Sequence, residues 1–332
     1  MICCCSMLAT AFVLYVFTSL FLLKFPLFLH KKKRRSFYCS HISHRGGAAE
    51  RLENTMPAFR NAQAAACKTD MFELDVHLSK DKKVVVIHDG NLRRVTGVEG
   101  KVSDYNYEDL PPLKNRIAVE FANNLHCEHT GTTPQKFPLL EDVFREFPGT
   151  PMNIDCKDND DELIAALAAV VEAFGRESSV VWGNADSAVV EKLHKKNPRV
   201  ALFASFRSIM LMYVWFYTGL LPFIPIRETF LELPHLGVLS KVDIDLELGI
   251  PEWLTGAANW LLCDCPTLFA HLRERGIATN FWVMNDEDGY RRVFELGAEG
   301  VMTDCPSKLR KWLDVNPKYV VESPAVHCSA TS

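Results

Sequence analysis

From about residue 39 to residue 312 the chain repeats one unit, a short apolar run of strand character followed by an amphipathic helical stretch, and this alternation limits the fold more than any other feature. CSHISHR (39–45) leads into ENTMPAFRNAQAAA, MNIDCK into DELIAALAAVVEAF, VVWGN into SAVVEKLHKK, ATNFWVMN into DEDGYRRVFELG, and GVMTD into SKLRKWL. In the first helix Asn54 or Thr55 is the cap and Pro57 sits in the first turn. Repeated βα units of this length require parallel strands joined by helical crossovers. With MFELDV (71–76) and VALFAS the count approaches eight, provided one more strand lies near 236–246, where the pattern is poor. The fold class is therefore α/β, a (β/α)8 TIM barrel rather than an open doubly wound sheet. Its site is expected at the C-terminal ends of the strands, where the polar residues of this chain fall. At 332 residues and 48% hydrophobic, one such barrel with appendages fits the chain. A polar stretch at 97–135 lacks periodicity and reads as an inserted loop.

The appendages are apolar. Residues 5–30 carry a single charge, Lys24, and KKKRR follows at 31–35. The run is long enough to span a bilayer, and its charge lies after the apolar core, the reverse of a cleaved signal peptide. It is expected to be an uncleaved transmembrane anchor, with the residues beyond Arg35 on the cytoplasmic side and the endoplasmic reticulum as a candidate membrane. The basic cluster is placed to meet anionic headgroups. A second uncharged stretch, SIMLMYVWFYTGLLPFIPI (208–226), is either a buried barrel helix or an apolar insertion that faces the membrane. A full crossing would divide the barrel strands between two compartments, so an insertion over about 206–228 that lies on the bilayer is expected, broken by Pro222 and Pro225. The domain boundaries are then 1–36 for the anchor and basic segment, 37–318 for the barrel and 319–332 for the tail. Eleven cysteines without a CxxC pair, and no Asn-x-Ser/Thr sequon, agree with a reduced compartment. Cys3, Cys4 and Cys5 are either acylation sites or incidental thiols. A net charge of −4 supplies no cationic field for nucleic acid. Oligomeric state is not encoded legibly.

The chemistry concentrates in FELDVHLSKDKKVVVIHDG (72–90). Alternation puts Glu73, Asp75 and His77 on one face. The gap to VVVIH is too short for a parallel crossover, so the two runs form a hairpin. A two-residue turn at Asp81-Lys82 would set Asp75 opposite His88. Two close carboxylates repel unless a cation or shared proton compensates, and with oxygen ligands the cation is hard, Mg²⁺ or Ca²⁺. Asp155 in MNIDCK offers a third carboxylate, with Lys157 on the same face. A metal beside a lysine suits an anionic oxygen, phosphate above all. His44 and Arg45 end the first strand before two glycines. Arg45 can fork onto phosphate, and His44 and His88 can bracket a phosphodiester as base and acid. Singly, each of these residues is equally an incidental surface or structural group; their joint occurrence at successive strand ends carries the reading.

HRGGAAERLENTMPAF, FELDVHLSKDKKVVVIHDGNLRRVTG, NIDCK, FWVMND and GVMTDCPSKL, in order from about residue 41 to 312, resemble the glycerophosphodiester phosphodiesterase family. With the anchor and apolar stretch, the chain is most similar to the family's membrane-associated lysophospholipase D branch. The resemblance implies a (β/α)8 barrel, a divalent metal and two catalytic histidines. It makes His44 and His88 the acid/base pair, Glu73, Asp75 and Asp155 the metal ligands, Arg45 and Lys157 the phosphate contacts, and Glu53, Asn54 and Trp282 supporting residues. Two positions depart from the family: many members carry Glu where this chain has Asp155, and Val283 replaces the usual Thr. The implied activity is metal-dependent hydrolysis of lysophospholipids such as lysophosphatidylcholine to lysophosphatidic acid and the headgroup alcohol. The alternatives are release of glycerol 3-phosphate from soluble glycerophosphodiesters, and an inactive membrane scaffold.

Overall fold

The structure, a computed structural model, describes residues 2–122, 124–235 and 261–321. Its strands are β1 (His41–Ser43), β2 (Met71–Leu78), β3 (Val84–Val86), β4 (Arg116–Ala118), β5 (His126–Glu128), β6 (Met152–Cys156), β7 (Val180–Gly183), β8 (Ala201–Leu202), β9 (Phe230–Pro234), β10 (Ala278–Trp282) and β11 (Gly300–Thr303). Helices are α1 (Ile2–Lys24), α2 (Met56–Gln63), α3 (Arg93–Thr96), α4 (Leu140–Glu146), α5 (Asp161–Ala173), α6 (Ser187–Lys196), α7 (Phe206–Tyr217), α8 (Pro266–Glu274), α9 (Glu287–Glu295) and α10 (Pro306–Val315). Eight strands pair in parallel in the order β8-β7-β6-β2-β1-β11-β10-β9. The two ends meet where the Ala204 amide donates to the Phe230 carbonyl and the Thr229 amide to the Leu202 carbonyl, each at 2.9 Å. That seam closes the TIM barrel.

The strand expected near 236–246 is instead Phe230–Pro234; the expected segment lies outside the described residues. FLELP was obscured because Glu232, in its middle, interrupts the apolar run. β2 shows the rule the barrel strands follow. All eight of its residues are buried, with Phe72, Leu74 and Val76 in the layer beneath the helices and Glu73, Asp75 and His77 on the other side. Strands covered on both faces read as near-continuous runs. On the helical layer, Leu163, Ile164, Leu167 and Val171 recur at helical spacing along α5 and are buried. Of the two candidate caps for α2, Thr55 takes the role, its Oγ1 accepting from the Ala58 amide at 3.3 Å.

The hairpin forms, one residue out of the expected register. Val76 pairs with Val86 and Leu78 with Val84, and the Ile87 amide donates to the Asp75 carbonyl at 2.9 Å, so Ile87 rather than His88 lies opposite Asp75. The cause is the turn. Ser79 Oγ accepts from the Lys83 amide at 2.9 Å and donates to Asp81 at 2.7 Å, and Lys82 takes a left-handed φ of 63°, giving a three-residue loop instead of two. His88 is thereby released beyond the end of β3.

The stretch at 97–135 is a small layer over β3 rather than a bare loop: β4 and β5 pair antiparallel, and Leu113, Ile117, Val119 and Cys127 bury against Val85 and Ile87. The apolar stretch after residue 206 occupies the crossover from β8 to β9. α7 has 12 residues, about 18 Å, short of the roughly 30 Å of a bilayer core. It ends at Tyr217, ahead of both prolines. The basic segment also divides. Arg35 forks onto Glu299 at 2.5 Å, and Lys33 donates to the Arg227 carbonyl, its pKa drawn down to about 8 by burial. Lys31, Lys32 and Arg34 remain exposed.

Candidate active site

Parallel register assembles the site. Glu73 lies beside Asn153 and Asp75 beside Asp155 across β2 and β6. Ser43 pairs with Phe72 and with Thr303, which sets His44 next to Glu73 on one side and Asp304 on the other. His44, Arg45, Glu73, Asp75, His88, Asp155, Lys157 and Trp282 all line one cavity of about 580 Å³ at the C-terminal ends of the strands. Glu53 and Asn54 stand just behind it.

Both histidines are backed by carboxylates that the sequence reading did not assign. His44 Nδ1 donates to Asp304 Oδ1 at 2.7 Å, and His88 Nδ1 donates to Asp89 Oδ1 at 2.6 Å. These bonds leave each Nε2 for other work. Burial works against a charged His44, and the Asp304 carboxylate outweighs it, so the imidazole's pKa is raised. Asp89 also accepts from Arg94 Nε at 2.5 Å. Burial opposes its charge, and His88 and Arg94 hold it below the usual carboxylate range.

Arg45 is buried and already committed. Its amide donates to Glu73 Oε2 at 2.8 Å, and its guanidinium donates to Glu53 at 3.1 Å and Glu120 at 2.7 Å. Nε is buried, makes no hydrogen bond and stands 3.6 Å from Asp75. The φ of 49° at Arg45 turns the chain out of β1 and aims this side chain back across the mouth. Glu53 in turn takes both Arg94 nitrogens at 2.6 and 2.9 Å, and Asn54 Nδ2 donates to Asp75 Oδ2 at 2.9 Å.

Lys157 bridges two carboxylates, at 2.8 Å from Asp75 and 2.7 Å from Asp155. Burial disfavours its charge, and the two carboxylates more than restore it. Asn184 adds a bond to Asp155 at 3.2 Å. For Asp75 burial is likewise the largest influence, opposing ionisation, yet the Lys157 and Arg45 charges keep the carboxyl well below its ordinary range. Glu73 behaves oppositely: burial, then the neighbouring Asp75 charge, push it up to about 8. Its paired cation, His44 Nε2, stands 4.0 Å from Oε2, and a divalent ion there would offset both neighbouring carboxyls. The donor set of Glu73, Asp75 and Asp155 therefore fits a hard metal. His88, Asp89 and Glu120 also bring ligand atoms within 4.8 Å of one another; Arg94 pairs with both of those carboxylates, at 2.5 and 3.5 Å, as Lys157 pairs with Asp75 and Asp155.

Three further residues were missed. Glu232 lines the cavity, accepts from Asn153 Nδ2 at 2.7 Å, and is raised to about 7 mainly by burial, with the Asp155 charge adding to it. Phe121 packs edge-on to His44 at 5.5 Å and to Trp282 at 6.0 Å, roofing the site from the β4–β5 layer. Beside it Glu120 reaches Arg45. The remaining cavity wall is apolar, with Phe206, Ile209, Met210 and Tyr213 of α7 opposite the charged floor.

Comparison with known proteins places the chain in a family. The chain is 45% identical over 299 residues to lysophospholipase D GDPD1 of Homo sapiens, covering 90% of this chain and 94% of that one. It is 35% identical over 301 residues to lysophospholipase D GDPD3 of Homo sapiens, covering 90% and 93%. Among solved structures, the glycerophosphoryl diester phosphodiesterase domain of an uncharacterised Mycobacterium tuberculosis protein superposes with a TM-score of 0.62 at 17% identity, over 82% of this chain and 99% of that one. An Oleispira antarctica phosphodiesterase solved with the product sn-glycerol-3-phosphate gives 0.55 at 16%, over 83% and 97%; both likenesses concern the fold. A sequence model described as the glycerophosphoryl diester phosphodiesterase family matches residues 44–308, and the chain belongs to that family of generally divalent-metal-dependent phosphoric diester hydrolases.

Proposed function

We propose that this protein hydrolyses lysophospholipids, lysophosphatidylcholine among them, to lysophosphatidic acid and the free headgroup alcohol. The observation that carries the reading is one cavity with two carboxylate-backed histidines and clustered carboxylates on its floor and an apolar helix as its wall. Relatives named lysophospholipase D, matched over nearly their full length, support the same substrate class.

In this reading Glu73, Asp75 and Asp155 hold a divalent ion, Mg²⁺ or Ca²⁺. When bound, that ion neutralises charge on the phosphoryl oxygens. The guanidinium of Arg45 and the ammonium of Lys157 supply further positive charge to the same oxygens. His44, whose proton Asp304 favours, suits the general acid that protonates the leaving alcohol. His88, oriented by Asp89, suits the base that takes the proton from the nucleophile, which is water or the free hydroxyl of the lyso-glycerol. Glu53 and Asn54 hold Arg45 and Asp75 in position, and Trp282 with Phe121 shields the site from water.

The same proposal makes α1 an uncleaved anchor. It is long and apolar enough to cross a membrane, and exposed Lys31, Lys32 and Arg34 after it favour a barrel on the cytoplasmic side, for instance of the endoplasmic reticulum. A C-terminal tag shielded from protease in intact microsomes would reverse that orientation.

The test is headgroup release by detergent-solubilised protein from lysophosphatidylcholine and glycerophosphocholine in parallel, with and without EDTA, beside His44→Ala. Release from the lysolipid that is lost with EDTA and with the variant is the expected outcome. Release mainly from the soluble diester would replace this reading with a glycerophosphodiesterase. No turnover of either, with metal supplied, would leave a scaffold.

A further inference from the structure

α7 carries one apolar stripe with two different surroundings along its length. Ile209, Met210 and Tyr213 line the catalytic cavity, with Phe206 at its rim, 66% exposed. Val214 and Tyr217 continue the stripe at helical spacing, and with Leu220 and Phe223 beyond the helix end they are exposed. The stripe thus leads from the site to the exposed C-terminal end of the helix.

α1 is fastened to that end of α7. Tyr15 Oη donates to the Thr218 carbonyl at 2.6 Å and Ser19 Oγ to the Gly219 carbonyl at 2.7 Å. The Tyr15 and Phe223 rings stack at 6.3 Å. Gly219 makes the approach possible: its φ is 77°, and a Cβ there would stand 2.9 Å from Ser19 Oγ and 3.1 Å from Tyr15 Oη. Two more bonds hold the end of α1 and the residues after it, from His271 Nδ1 to the Leu23 carbonyl and from His30 Nε2 to the Pro222 carbonyl, both 2.8 Å. Toward its N-terminus α1 carries exposed Leu8, Phe12 and Phe17, and it is the one helix among the described residues long and apolar enough to cross a bilayer. A hydrocarbon phase surrounding α1 therefore also reaches the C-terminal end of α7, because the Gly219 contact holds the two together.

We infer that the substrate's acyl chain runs along the apolar stripe of α7, from Ile209, Met210 and Tyr213 in the cavity toward the exposed Val214 and Tyr217, and enters from the lipid leaflet that holds α1. This rests on the lysophospholipid reading. The phosphodiester occupies the charged floor, and the single chain of a lysolipid leaves it toward this apolar wall rather than toward water. Tyr213 donates its hydroxyl to the Leu262 carbonyl, so its polar atom is satisfied away from the chain.

The test uses full-length, metal-supplied protein with short-chain lysophosphatidylcholine below its micellar concentration, and with long-chain lysophosphatidylcholine in phosphatidylcholine vesicles. Ile209→Trp fills the groove, and its kcat/KM is expected to fall more for long than for short chains, by about ten-fold, the loss expected when roughly two methylenes are kept in water. Ile209→Ala, which adds room, is expected to move chain-length preference the other way. An equal change for all chains in both variants overturns the groove. Val214→Glu with Leu220→Glu charges the exposed end of the stripe. The double variant is expected to retain turnover of the monomeric substrate, which also shows that it folds, and to lose about ten-fold on vesicles. Undiminished vesicle turnover overturns the docking. A wild-type protein that cleaves glycerophosphocholine but neither lysolipid removes the underlying reading instead.

Discussion

His44 and Asp304 lie 260 positions apart in sequence and 2.7 Å apart in the folded chain. The carboxylate fixes which ring nitrogen carries the proton and favours the charged imidazole against burial. Asp304→Asn keeps the shape and removes the charge. The expected result is a loss of about 10² to 10⁴ in kcat/KM, the usual worth of a positioned acid or base. The His44 limb of the pH profile should move to lower pH, because the largest charge opposing burial is then gone. Stability follows the same sign. A raised folded pKa contributes stability that is complete below the unfolded value of about 6.5 and fades as pH rises through the folded one. The difference in Tm between wild type and variant should therefore be greatest at acid pH. An unshifted profile would make Asp304 a structural residue only.

Lys157 predicts a dependence of stability on metal. It is the ammonium nearest to Asp75 and Asp155, at 2.8 and 2.7 Å. Removing one partner of a buried charge set typically costs about 3–5 kcal/mol, and Lys157 is partly exposed, so the lower end applies. Lys157→Met should lower Tm in EDTA, by several degrees at about 2–4 °C per kcal/mol, and added Mg²⁺ or Ca²⁺ should recover part of the loss. Thermal scans with and without metal read this directly. An equal loss under both conditions would mean that no ion binds between these carboxylates.

Most of the site residues that the sequence brings together, His44, Arg45, Glu73, Asp75, Asp155, Lys157 and Trp282, sit on a barrel strand or immediately after it. Alternation tells which way Glu73, Asp75, Asp155 and Lys157 point, and a parallel barrel gathers all strand C-termini at one mouth. What alternation cannot give is partnership between strands far apart in sequence. Asp304 stands in the quoted GVMTD, yet its role depends on β11 lying beside β1. Asp89 was adjacent to His88 in plain view, and the His-Asp pair was a usable signal. Glu120 and Phe121 belong to a stretch without periodicity, fixed by its own small core. Glu232 concealed its strand because a polar side chain facing the cavity breaks the apolar run. The hairpin register slipped by one because a single side-chain bond from Ser79 selects the longer turn.

Two groups of side chains could take the metal, and both already hold a cation: Asp89 and Glu120 share Arg94, and Asp75 and Asp155 share Lys157. Glu73 differs, with burial and the Asp75 charge pushing it up to about 8, and the proposed site is the one that includes it. Calorimetry on the metal-free protein should give an affinity that falls at least about ten-fold in Asp155→Ala, since even supporting residues around a metal cost 10–100-fold. Glu120→Gln should leave the affinity nearly unchanged. The reverse order would move the ion to His88, Asp89 and Glu120.

His271 ties the anchor to acid stability. It is buried on α8, its Nδ1 bonded to the Leu23 carbonyl at 2.8 Å, and its pKa is drawn down to about 4, chiefly by burial and in part by Arg275. A histidine with a depressed pKa binds a proton more readily when unfolded. Its stabilising contribution is therefore complete above about pH 6.5 and is lost as pH falls toward 4. His271→Asn can keep a donor to Leu23 without titrating. The variant's Tm should decline less steeply than wild type between those two pH values, and the two proteins should be similar near neutrality. Parallel slopes would show that His271 does not titrate in that window, while a lower Tm at every pH would show that Asn fails to replace the bond that holds α1 to the barrel.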